Sequence, residues 1–123
     1  MMPSRNSSCV TLYRPTGELE MELVRDSEWK SFPPRLPDQP VFYPVLNEAY
    51  ATEIAQKWNT RDGGTGYVMR FQVAAEFLDH YEVQTVGTSM HQEYWIPAAE
   101  LEEFNRHIVG EIEVVSVFRG SQE

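Results

Sequence analysis

The segment His91-Gln92-Glu93-Tyr94-Trp95-Ile96-Pro97 holds the most concentrated chemical potential in the chain. Read as a strand, it turns His91, Glu93 and Trp95 to one face and Gln92, Tyr94 and Ile96 to the other. A carboxylate set between an imidazole and an indole can stabilise a cationic transition state or hold a hydroxyl. The competing reading makes Glu93 a solvent-facing strand residue with His91 its neighbour by accident. Metal and nucleophile chemistry find less support. His80, His91 and His107 have neither HExxH spacing nor a companion cysteine cluster, so no metal site is expected. There is no Gly-x-Ser-x-Gly elbow, and Cys9 has no local base. Gly63-Gly64-Thr65-Gly66 precedes a strand rather than a helix, which suits a hairpin turn better than a phosphate cradle.

The elements that must position these groups follow from periodicity and punctuation. Alternation predicts strands near 10–14, 67–73, 81–86, 91–96 and 111–118, with a further strand at 41–45 that Pro44 places at an edge. Pro15 bounds the first of them. Helical spacing predicts helices near 17–28, capped by Thr16, 47–58, capped by Asn47, and 98–107, opened by Pro97 and stopped by Gly110. Residues 74–79 suit one further helical turn. Between residues 31 and 40 four prolines impose an extended loop, of a length that is often functional. Strands and helices mix without strict alternation, so the class is α+β with a split sheet, mixed or antiparallel, of about six strands and three helices. A flexible N-terminus over 1–8, a single domain over 9–119 and a tail over 120–123 are expected.

Composition narrows the functions. The chain has 123 residues, 41% hydrophobic and 24% charged, with fifteen aromatic side chains. No apolar run approaches the ~20 residues that cross a bilayer, and the N-terminus lacks a secretory hydrophobic stretch. The sole cysteine cannot form an internal disulfide, which favours a reducing, cytoplasmic setting. A net charge of −9 argues against nucleic acid as a partner. That charge is uneven: residues 1–61 carry seven basic and eight acidic side chains, residues 62–123 three and eleven. Phosphate-binding capacity therefore lies in the first half, where Arg14, Arg25, Lys30 and Arg35 cluster. Arg35 is expected to face the same cavity as Arg14, the alternative being that its loop is a spacer.

The segments Leu12-Tyr13-Arg14, Val41-Phe42-Tyr43 and Gln92-Glu93-Tyr94-Trp95-Ile96-Pro97 stand in the order of three elements of the ADP-ribosyltransferase-like fold, which the chain resembles. The stretch from Phe32-Pro33-Pro34-Arg35 to Phe104-Asn105-Arg106-His107-Ile108-Val109-Gly110 also resembles short bacterial proteins labelled "ADP-ribosylation/crystallin J1". The resemblance implies NAD or a related nucleotide as substrate, no metal, and a protein or other acceptor of ADP-ribose, or simple hydrolysis of NAD. It matches Glu93 to the catalytic glutamate that holds the ribose 2′-hydroxyl and offsets an oxocarbenium-like charge. His91 takes the position two residues earlier. Arg14, or Tyr13 beside it, takes the first-strand nucleotide contact, Arg35 adds a phosphate partner, and Tyr43 or Phe42 stacks on nicotinamide. The sequence departs from the family in lacking a Ser-Thr-Ser element and in carrying His91 where arginine-modifying members have a glutamate. Tyr43 and Tyr50 also lie closer together than the paired tyrosines of another branch. A non-catalytic module of the same fold, binding a nucleotide or a protein, is the alternative.

Overall fold

The computed structural model describes residues 8–61, 64–87 and 91–120. The expectations for 1–7, for Gly63 in the glycine-rich turn, for residues 88–90 of the connection before His91 and for 121–123 of the tail lie outside these residues. The alternating run expected at 67–73 becomes the central strand. β3 (Thr65–Ala74) is flanked by β1 (Cys9–Thr16) and β7 (Ile108–Arg119), both antiparallel to it. Its side chains feed two cores. Met69, Phe71 and Val73 enter the larger, with Leu12, Val24, Phe32, Phe42 and Phe104. Val68 enters a smaller one on the opposite face, with Val45, Ala51 and Ala55.

The helices divide accordingly. α1 (Glu18–Asp26), α3 (Ala75–Leu78) and α4 (Leu101–Arg106) contribute Val24, Phe77, Leu78, Leu101 and Phe104 to the larger core. α2 (Glu48–Ile54) and the π-helical turn that extends it (Ala55–Asn59) cover the other face. Asn47 caps α2 as expected, its side chain accepting the Tyr50 N–H at 2.7 Å. Gly17, rather than Thr16, is the N-cap of α1, because Thr16 remains in β1. The helix expected from Pro97 begins as a 3₁₀ turn, Ala98–Glu100.

The other half of the sheet is built by one antiparallel ladder held in a single register. β2 (Val41–Phe42) pairs with β6 (Ile96–Pro97), and Val45 pairs with Glu93 of β5 (Gln92–Tyr94). Tyr94 N–H donates to Pro44 and Leu46 N–H to Gln92, at 2.9 and 3.0 Å. β4 (Val83–Thr85) closes the far side against β5 and is shorter than the 81–86 expected. On its other flank Val45 exchanges both backbone hydrogen bonds with Tyr13, at 2.9 and 2.8 Å, which joins this ladder to β1. The sheet therefore runs β7-β3-β1, then Val45, then β5-β4. Every described pairing is antiparallel and the class is α+β.

Two punctuation residues act differently from expectation. Pro15 does not end β1, which continues to Thr16 opposite Tyr67. In the alternation of an antiparallel ladder, the next donor toward Tyr43 after Tyr13 would be the nitrogen of Pro15, which carries no hydrogen. So proline stops only one of the two ladders β1 could make, and the chain opens a gap there. Gly110 does not stop α4, which ends at Arg106 with His107 as its C-cap. It adopts φ 79° where β7 bulges against β3, and Ile112 N–H turns away to Trp29 O at 2.7 Å.

Candidate functional site

Glu93 is a buried carboxylate with two donors fixed on it. Strand alternation sends Tyr94 and Ile96 into the larger core and leaves Glu93 facing α2. Tyr50 O–H donates to Oε1 at 3.0 Å, and the Trp95 indole N–H donates to Oε2 at 2.7 Å. Burial, reinforced by the bond to Glu93, pushes the Tyr50 phenol up to about 12, so it remains a donor across neutral pH. His91 is not one of the two donors to Glu93. Its ring stacks on Tyr50 at 4.4 Å and 21°, and Nε2 lies 3.3 Å from Glu53 Oε1. The two are thus linked through Tyr50, which the sequence had marked only by its short spacing from Tyr43.

The basic half of the site is an arginine pair sharing one carboxylate. Arg14 donates Nε and Nη2 to the two oxygens of Glu20, at 2.8 and 2.9 Å, and Arg35 Nη1 lies 3.9 Å from the same carboxylate. Burial raises the Glu20 carboxyl, but Arg14 and Arg35 more than offset it and hold it below the usual range. Burial and the like charge of Arg14 lower the Arg35 guanidinium. Both guanidinium groups lie over the Phe42 ring, at 4.7 and 5.9 Å from its centroid, while Arg35 Nε bonds Val41 O. The expectation that Phe42 stacks on a ligand is therefore corrected. At 1% exposure it is packed by Phe32 and Phe104 and covered by arginines.

Two cavities meet at Arg14. One, about 430 Å³, lies between α1 and the proline-rich loop, where Arg14 and Arg35 share a wall with Glu20, Leu19, Pro34 and Gln39. The loop thus brings Arg35 to the cavity of Arg14 as expected. The other, about 290 Å³, occupies the gap beside Pro15 and is walled by Arg14, Tyr43, Val45, Ile54 and Glu93. Arg14, Pro15 and Asn59 line both. Tyr43 is 40% exposed and meets Trp95 edge-on at 6.4 Å, which leaves ring surface available. Tyr13 lines neither cavity, because it packs with Val45 and Tyr50 in the smaller core.

Asn59 is a site residue that the sequence reading did not single out. It ends the π-helical turn, and its Oδ1 is buried without a hydrogen-bond partner. A π-turn next to an unsatisfied buried acceptor is a pattern found at functional sites. Among the described residues, no group of three or more His, Cys, Asp or Glu is placed to hold a metal ion, and no helix is long and apolar enough to cross a membrane. The arrangement offers a fixed carboxylate, an exposed aromatic ring and guanidinium donors around one concavity. No protein-family model, curated protein or solved structure matches the chain.

Proposed function

We propose that the double cavity binds NAD or a related nucleotide in an ADP-ribosyltransferase-like manner, with Glu93 assisting departure of the base. One observation carries the reading: Arg14, Tyr43 and Glu93, from three separate segments, line the same cavity. In this reading the pyrophosphate takes the guanidinium donors of Arg14 and Arg35, and the nicotinamide ring packs on Tyr43. The glycosidic C–N bond breaks, and its electron pair leaves with nicotinamide. The oxocarbenium-like ribosyl carbon is taken by water or an acceptor nucleophile, which releases a proton. Glu93 accepts the 2′-hydroxyl and offsets the developing charge. Tyr50 and Trp95 hold the carboxylate in place beforehand, the preorganisation that makes such stabilisation effective. Use of NAD agrees with the cytoplasmic setting expected of a chain with a sole cysteine.

Glu20 favours a second reading, in which the fold binds without catalysis. It already occupies two donors of Arg14 and leaves the arginine pair with a net charge of only about +1. Calorimetric titration with NAD, followed by mass analysis of free nicotinamide, separates the cases. The catalytic reading expects binding and nicotinamide release. It also expects Glu93→Gln to bind NAD within about threefold of the parent while release falls on the order of 10²–10³-fold. Undiminished turnover in Glu93→Gln removes Glu93 from the mechanism, and binding without release selects the second reading. No NAD binding by the parent protein rejects both nucleotide readings.

A further inference from the structure

A concavity larger than either of these lies away from the cleft, between α3, α4 and Trp95. We propose that it is a binding site for an organic cation, a guanidinium or primary ammonium group. Its volume is about 680 Å³, and its walls are the rings of Phe77, Tyr81 and Trp95 with the carboxylates of Glu76, Glu100 and Glu103. Among the described residues, neither lysine nor arginine lines it. His80 and His107 complete the lining, and the His107 ring stacks on Phe77 at 4.4 Å and 14°.

The chemistry of that wall selects the ligand. Aromatic faces attract cations through their quadrupoles, and tryptophan does so best. Trp95 is 45% exposed. Tyr81 donates its hydroxyl to Glu100, and burial, with that bond, raises the phenol, so the ring stays neutral and electron-rich. Glu103 is held by Arg106 Nη2 at 2.5 Å from Oε1 and lies 3.7 Å from His107 Nδ1 through Oε2, contacts that orient the carboxylate on α4. Three carboxylates beside aromatic rings suit a delocalised or alkyl-borne cation that touches ring and carboxylate together. A nucleotide would be repelled. The site is independent of the nucleotide reading, since Arg14, Arg35, Tyr43 and Glu93 do not line it. It is nonetheless one hydrogen bond from the cleft, because the Trp95 indole N–H ends on Glu93.

The test is a ¹H–¹⁵N NMR titration at fixed pH and low salt with Nα-acetylarginine amide and Nα-acetyllysine amide, against neutral Nα-acetylglutamine amide. Saturable, millimolar-range shifts are expected at the Trp95 indole N–H and at the amides of 76–81 and 100–107 with at least one cation. The neutral probe should produce none. The double variant Glu100→Gln/Glu103→Gln should bind at least fivefold more weakly, with its folding read from the same spectra. Glu76→Gln, an exposed change on α3, should weaken binding in the same direction and serves if the double variant unfolds. No saturable shift with either cation, equal shifts from the neutral probe, or full affinity in a folded carboxylate variant would overturn the proposal.

Discussion

Replacing Gly66 by alanine tests the contact on which the geometry of the cleft depends. β3 crosses the π-helical turn at this residue. A Cβ built on Gly66 would lie 2.5 Å from Ala55 O, 3.0 Å from Asn59 Cβ and 3.1 Å from the Ala55 carbonyl carbon. The first and last of these are backbone atoms that cannot rotate aside. Gly66 does not have a positive φ, so alanine meets no dihedral penalty of its own. Removing glycine there would by itself stabilise the fold by about 0.4–1 kcal/mol, through the unfolded chain. Overpacking of this severity costs about 1–3 kcal/mol or more, so a net loss of about 1–2 kcal/mol is expected. Gly17→Ala is the control, because its nearest new contact is Asn59 Nδ2 at an ordinary 3.9 Å. Urea unfolding of the two variants measures the difference. The turn that yields in Gly66→Ala carries Asn59, so any nucleotide affinity should fall with stability. Equal stability of Gly66→Ala and Gly17→Ala would refute the argument.

Glu20→Gln removes the counter-charge of a buried arginine pair and should destabilise the protein by about 1–3 kcal/mol at pH 7. The folded Glu20 carboxyl lies below its ordinary 4.5, so its stabilisation is full above pH 4.5 and is lost as pH falls through the folded value. The gap between parent and variant in urea midpoints should therefore narrow on going from pH 7 to pH 3, and a constant gap would contradict the ion-pair account. Glu28 is exposed with φ 67°, followed by Trp29 at 64°. A non-glycine residue there costs about 1–2 kcal/mol, partly offset by the unfolded-state entropy of glycine, so Glu28→Gly should raise the melting temperature by a few degrees in calorimetry. A lower melting temperature would show that the left-handed pair is held by contacts of the Glu28 side chain.

What was legible in the sequence had a short range. Period-two alternation located β3 and β7 and put Glu93 on the face opposite Tyr94 and Ile96, since a strand's own side chains decide that. Cap chemistry likewise started α2 at Asn47. The partners of Glu93 and Arg14 were not legible in the same way. Tyr50 lies 43 residues from Glu93. It reaches the carboxylate because small residues, Ala51 and Ala55, let α2 sit close on the sheet, with Gly66 beneath the turn that follows. Nothing local in the sequence marked Glu20 as the counter-charge of an arginine on the preceding strand. Phe42 was assigned to a ligand because aromatics serve both cores and binding walls, and only packing decides between them.

The position of the cleft follows from one covalent feature. β1 can pair on both edges, and it does so against β3 along its whole length. Toward the ladder of β2, β5 and β6 it pairs only at Tyr13 and Val45. Two residues further on, the nitrogen that would continue the ladder belongs to Pro15. The chain at Tyr43 is therefore free to turn with β2 toward β6, and Arg14 and Glu93 line the space between. A residue with a backbone N–H at position 15 would supply the missing donor to the Tyr43 carbonyl and draw the two segments together. The gap is thus a consequence of imino-acid chemistry at a strand edge, placed between the residues that carry the functional reading.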